Sequence, residues 1–111
     1  MPLFKLCSID ELNEIDSRGF LISDVSPERN IFIVKNKHQI YGYENMCPHN
    51  FSPLDWSPNQ FLNFDNSYIQ CANHGALFEI NSGDCIYGPC AGQSLQSIKI
   101  EVKNKVIFAF I

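Results

Sequence analysis

The chain has 111 residues, 45% of them hydrophobic and 18% charged, and a formal net charge of -4. That length suits one compact domain, residues 1–111, and is too short for two, while the composition excludes a disordered chain. The negative charge disfavours nucleic acid as a partner, because phosphate binding needs a basic face.

In chain order the elements read as mostly β. The opening MPLFKLCSIDEL has a single lysine and a very short apolar run, with acid by Asp10, which is not a secretory signal. Strand-like runs rich in Ile, Val, Phe and Tyr follow at Leu3–Cys7, Phe20–Ser23, Ile31–Lys35, His38–Tyr43, Tyr68–Cys71, Leu77–Ile80, Ser97–Val102 and Val106–Ile111. SIDEL is the one helical candidate, with Ser8 as cap and Glu11 three residues on. The tetrapeptide VKNK occurs twice, at Val34–Lys37 and Val102–Lys105. Each copy is expected to be a hairpin turn, with Asn36 and Asn104 supplying positive φ. Residues 46 to about 90 are rich in Pro, Asn, Ser and Gly and read as loops and short strands inserted into the β scaffold. Val106–Ile111 is too short to cross a bilayer, so no membrane association is expected, and the chain reads as soluble and cytoplasmic.

Charge is unevenly spread. From His38 to Ile98 there is no lysine or arginine, against five acids: Glu44, Asp55, Asp65, Glu79 and Asp84. The VKNK turns hold four of the eight bases. An acidic middle can serve solubility alone, or it can meet a basic partner. The five cysteines are an odd count without an export signal, which argues against a disulfide framework and towards thiol or metal chemistry.

Two of the three histidines pair with cysteines, in CPHNF (47–51) and CANHG (71–75). Cys47, His49, Cys71 and His74 are therefore candidate metal ligands, since thiolate and imidazole both bind transition metals. Pro48 stiffens the first loop and Gly75 lets the chain pass close behind His74. The C-x-H and C-x-x-H pairs do not have zinc-finger spacing. Each loop offers one thiolate and one imidazole, as a centre with two unlike metal ions would need. A zinc site on the same four residues and an accidental clustering stay open on spacing alone.

The run CPHN…CANHGALFEINSGD resembles the Rieske [2Fe–2S] motif, and the likeness extends over most of the chain. The resemblance implies an all-β, antiparallel β-sandwich scaffold with an inserted cluster-binding subdomain at about 46–90. It further implies one [2Fe–2S] cluster, with Cys47 and Cys71 on the inner iron and His49 and His74 on the outer. Phe51 stands where the family usually has Gly, Asn73 stands where it has an aromatic or leucine, and 21 residues separate His49 from Cys71, a few more than is common. Ser52 and Asn73 occupy the positions of the disulfide found in the respiratory form, so that bridge is not expected. Ala76 and Phe78 replace hydroxyl side chains that donate hydrogen bonds to cluster sulfurs in that form. Their loss implies a potential towards the lower end of the ~-150 to +300 mV Rieske span.

What is resembled is the soluble ferredoxin of bacterial ring-hydroxylating dioxygenase systems. It implies an electron carrier and not an enzyme, taking electrons from a reductase donor and passing them to an oxygenase or other oxidoreductase acceptor; a monomer is expected, and the acidic middle segment points to basic docking surfaces on those partners. The alternatives are a small subunit of a nitrite-reductase-type complex and a zinc-stabilised binding module. Only His38 remains once the cluster is served, too few for a mononuclear iron site. His38 reads as an ordinary surface residue and Cys7 as a small core residue. Trp56 is expected under the first loop. Cys90, after Gly88–Pro89, is expected to shield the cluster, and Cys85 and Cys90 are expected as free thiols.

Overall fold

The computed structural model describes residues 3–23, 27–48, 52–55, 57–72 and 75–111. Among these residues ten strands form three antiparallel sheets. The first sheet orders β1 (Leu3–Ser8), β10 (Val106–Phe110) and β9 (Ile100–Lys103) as β1-β10-β9. The second is β2 (Ile15–Ile22), β3 (Arg29–Asn36), β4 (Gln39–Glu44) and β8 (Ser97–Ile98), in the order β2-β3-β4-β8. The third, inside the insert, is β5 (Ile69–Gln70), β6 (Leu77–Phe78) and β7 (Cys85–Tyr87). No helix among the described residues is long and apolar enough to cross a membrane.

Strand β3 explains the layering. Its four residues Ile31–Val34 are all fully buried, with no polar alternation. Side chains alternate between faces along a strand, so both faces of β3 must be covered. Ile31 and Ile33 point into the scaffold core, with Cys7, Ile98, Ile107 and Ala109 of the facing sheet and its neighbours. Phe32 and Val34 point the other way, into a second core made with the insert: Cys47, Leu54, Phe61, Ile69, Cys71 and Phe78 among others. Phe32 stacks on Phe61 with ring centroids 4.3 Å apart and planes 4° from parallel. Burying one such side chain is worth about 1.5–3 kcal/mol, so this face anchors the insert.

The two scaffold sheets share one strand run. Ser97–Val102 reads as continuous, but it divides at Lys99 into β8 and β9, which belong to different sheets. Packing is tight at Gly42, where a Cβ would stand 2.6 Å from the Ile100 Cδ1 and 3.2 Å from the Ile98 carbonyl oxygen.

SIDEL forms a short 3-10 helix, Ile9–Glu11, with the expected capping box: Ser8 Oγ accepts from the Asp10 amide and Glu11 accepts from the Ser8 amide. The Glu11 carboxyl lies below the usual glutamate range, chiefly through that backbone donor and then through Arg18. Both VKNK segments turn hairpins, but one residue out of step with each other. The second pairs Lys103 with Val106, leaving Asn104 and Lys105 as the loop, both with positive φ. The first pairs Asn36 with Gln39, so Asn36 ends β3 and the positive φ falls on Lys37. Register is set by which face of the flanking strands is buried. That constraint overrides the Asn preference in the first copy.

Two further differences concern extent. Strand β2 begins at Ile15, not Phe20, because it pairs with β3 over its full length, from Ile15↔Asn36 to Ile22↔Arg29. Strand β7 is a short strand of the 46–90 segment that the sequence did not place, and it joins β6 with Phe78 opposite Cys85.

Candidate metal centre

Three loops of the insert converge beneath the Phe32 face. The first leaves β4 at Glu44 and is pinned at its root by Asn45, which is 7% exposed. The Asn45 amide donates to the Asn30 carbonyl at 2.8 Å, fixing the loop to β3. Its side chain spans the loop: Oδ1 accepts from the Leu54 amide at 2.8 Å, and Nδ2 donates to Asp55 Oδ1 at 3.1 Å. Inside this clamp the Cys47 amide donates to the Ser52 carbonyl at 2.8 Å, and Cys47 is fully buried.

The second loop starts directly after β5. The Cys71 amide donates to the Ala76 carbonyl at 2.9 Å, and the Gly75 amide donates back to the Cys71 carbonyl at 3.0 Å. Gly75 adopts φ +65 with open space where a Cβ would be, so backbone conformation and not crowding selects glycine there. Cys71 is fully buried. The two loops are tied by the Ala72 amide donating to the Leu54 carbonyl at 2.9 Å.

The third loop follows β7 and covers the second. At Gly88, φ is +104 and a Cβ would stand 2.9 Å from the Ala76 Cα. The loop then carries Cys90, 1% exposed, back beneath the site. The sulfurs of Cys85 and Cys90 are 3.0 Å apart in a thiol–thiol hydrogen bond, and Cys85 Sγ also reaches the Tyr87 carbonyl at 3.3 Å. Burial first, then the Cys85 and Cys47 thiols, push the Cys90 thiol up to about 12.

Of the four sequence-predicted ligands, Cys47 and Cys71 are brought into one buried cluster on two interlocked loops. His49 and His74 lie outside the described residues, as do Trp56, Phe51 and Asn73. Among the described residues no group of three or more His, Cys, Asp or Glu side chains is gathered to hold a metal ion. His38 is exposed at the first hairpin and Cys7 is a buried scaffold residue, as expected. Ala76 and Phe78 are both fully buried.

Sequence reasoning missed the Asn45 clamp, for which the sequence carries no local signal. One acid of the segment is compensated from outside it, since Arg29 forms a salt bridge with Glu44 across the β3–β4 pair. The other acids of the segment have polar partners in part: Asp55 accepts from Asn45 and Asp84 accepts from Ser94 Oγ at 2.6 Å.

The family model of the Rieske [2Fe–2S] domain matches residues 3–104 of this chain. A comparison with curated proteins finds no match. Among solved structures, the chain is similar to one in the complex of reduced oxygenase and oxidized ferredoxin in carbazole 1,9a-dioxygenase. That likeness has 20% identity and a TM-score of 0.76, over 96% of this chain and 91% of the other. The ferredoxin of carbazole 1,9a-dioxygenase from Nocardioides aromaticivorans IC177 is 19% identical, with a TM-score of 0.72 over 96% of both chains. The terminal oxygenase of carbazole 1,9a-dioxygenase from Novosphingobium sp. KA1 is 11% identical with a TM-score of 0.79, but its match covers 98% of this chain and only 29% of that one. At these identities the structures speak for the fold.

Proposed function

Because the chain belongs to the Rieske [2Fe–2S] domain family, we propose that it is a one-electron carrier working between a reductase and a terminal oxygenase or other oxidoreductase. The family carries one [2Fe–2S] cluster, which supplies one-electron transfer. That decides against the zinc-module alternative. The single observation behind the carrier reading is the end-to-end likeness to a ferredoxin chain, over 96% of each.

The donor set fits the group. Cys47 and Cys71 are fully buried on loops locked to each other, which suits a pair of thiolates on one iron. His49 and His74, each within three residues of one of those cysteines, would hold the outer iron. The chain's own residues then do three things. Phe32, Phe61 and Leu54 exclude water from the sulfur side. Asn45 and the Ala72–Leu54 bond hold the two loops at fixed separation. Ala76 and Phe78 offer no side-chain donor, and the amides of Cys47 and Cys71 are committed to carbonyl oxygens, so the reduced, more negative state receives little help from these groups. A low potential follows.

Acidic residues around the loops favour basic docking surfaces on the partners and an association that weakens with salt. Exposed Met46, beside Cys47, and exposed Ile86 and Tyr87 in β7 add apolar area to the same subdomain.

The test is direct. The purified chain, supplied with iron and sulfide, should be reddish-brown with two irons and two acid-labile sulfides per chain. It should pass one electron from a flavin-dependent reductase to an oxygenase. His49→Ala and His74→Ala should each abolish the cluster. A colourless protein, or a cluster retained in both variants, refutes the assignment.

A further inference from the structure

We infer that Cys85 and Cys90 form a second redox pair beside the proposed ligand set: a dithiol that closes reversibly to a disulfide across the base of the third loop. The geometry is already assembled. The two sulfurs are 3.0 Å apart within one buried cluster, and neither side chain has to leave the core to meet the other. The backbone on both sides is fixed: the Cys85 amide donates to the Gln93 carbonyl at 2.9 Å, and the Gln93 amide donates to the Cys90 carbonyl at 2.9 Å. Closure therefore needs a small approach of two sulfurs and no rearrangement of strands.

This pair differs from the bridge of the respiratory form, whose positions are Ser52 and Asn73 here. It also lies outside the proposed ligand set, so its chemistry does not consume Cys47 or Cys71. Its place gives it a consequence. The loop it would close packs Gly88 directly on Ala76, two residues after His74. A covalent tie between Cys85 and Cys90 stiffens the loop that makes this contact.

The oxidant is a low-molecular-weight disulfide such as glutathione disulfide. Cys85, the less buried residue of the pair and next to exposed Ile86 and Tyr87, attacks first. Its S–H proton leaves, a mixed disulfide forms and one glutathione thiol departs. The Cys90 sulfur then displaces the second glutathione, losing its own proton. In sum two S–H bonds break, one S–S bond forms, and the two electrons reduce the glutathione disulfide to two thiols. A dithiol reductant reverses the exchange.

The experiment uses the cluster-loaded protein, incubated anaerobically with glutathione disulfide, acid-quenched, alkylated under denaturing conditions and peptide-mapped. The expected result is one internal bond joining Cys85 to Cys90 and a visible spectrum unchanged. Tm should rise by roughly 5–10 °C, from the entropy of closing a short loop, and dithiothreitol should return it. Cys85→Ala and Cys90→Ala should each remove the bond and the Tm rise, and Cys7→Ala should keep both. Either of the first two suffices if the other fails to fold. Full alkylation of both cysteines, a glutathione adduct that does not resolve, or a bond to Cys7, Cys47 or Cys71 overturns the proposal. The disulfide is read by mass, so a preparation lacking iron would refute the cluster reading alone.

Discussion

Replacing Asn45 by alanine should loosen the ligand loops while sparing the scaffold. The side chain makes two bonds that alanine cannot: it accepts from the buried Leu54 amide at 2.8 Å and donates to Asp55 at 3.1 Å. Leu54 is fully buried, so its amide has no water to turn to once the acceptor is gone. An unsatisfied buried amide costs about 1–3 kcal/mol, and the bond to the carboxylate, near the surface, adds a smaller amount. We expect a total of about 2–3 kcal/mol, which for a domain of this size is a fall in Tm of roughly 8–12 °C. Leu54 also accepts the Ala72 amide that joins the two loops. Cluster loss to an iron chelator, followed by bleaching, should therefore accelerate together with the drop in Tm. The isosteric Asn45→Asp separates the two bonds. It keeps the acceptor for Leu54 but sets a second carboxylate against Asp55. Burial and repulsion raise the new carboxyl's folded pKa above its unfolded value, so the stability deficit is present when it is ionised and shrinks as pH falls through that raised pKa. An Asn45→Ala protein within 2 °C of wild type and bleaching at the wild-type rate would refute the clamp.

Further outcomes follow from other contacts. Gly88→Ala should lower stability by at least about 1 kcal/mol, since φ +104 excludes a side chain and the new Cβ would meet the Ala76 backbone; unchanged melting would contradict the loop contact. Burial pushes the Tyr43 hydroxyl up to about 12, while it donates to the Ile80 carbonyl at 2.5 Å. A raised folded pKa stabilises fully below the unfolded value and is lost as pH rises through the folded one. Melting temperature should thus fall between about pH 10 and 12. Tyr43→Phe should flatten that fall and cost about 1 kcal/mol at neutral pH. Phe78→Tyr should raise the midpoint potential if its hydroxyl reaches a cluster sulfur; a bond worth about 1 kcal/mol is roughly 40–50 mV for one electron. Voltammetry would show it, and an unchanged midpoint in a stable variant would argue against the missing donors as the cause of a low potential.

Much of this was legible beforehand, and the rest was hidden for physical reasons. Local chemistry carried through: Ser8 and Glu11 made their capping box, and Cys47 and Cys71 entered one core on Pro- and Gly-shaped loops. Long-range compensation did not. Arg29 and Glu44 are fifteen residues apart, and Asn45 reaches nine residues along to Leu54. Neither link has a composition or period that marks it. Register was the other blind spot. Identical VKNK segments turn at different residues, because the turn obeys the buried faces of its strands and not its own asparagine. The length of β2 has the same origin, since its polar start at Ile15–Ser17 is held by pairing with β3 and not by hydrophobicity.

The alternation along β3 makes the two halves of the molecule separable by experiment. Ile31 and Ile33 serve the scaffold core, whereas Phe32 and Val34 serve the insert. A truncation at Ile33 should therefore lower global stability with little effect on the site, because the sheet itself stands between that side chain and Cys47. A truncation at Phe32 or at its stacking partner Phe61 removes apolar surface shared with both cysteines. It should cost about 3–5 kcal/mol and also let water reach the sulfur side. One strand thus couples the fold to the site by one set of residues and insulates the two by the other. The sequence shows this division only as an unbroken apolar run at Ile31–Val34, the pattern expected of a strand buried on both faces.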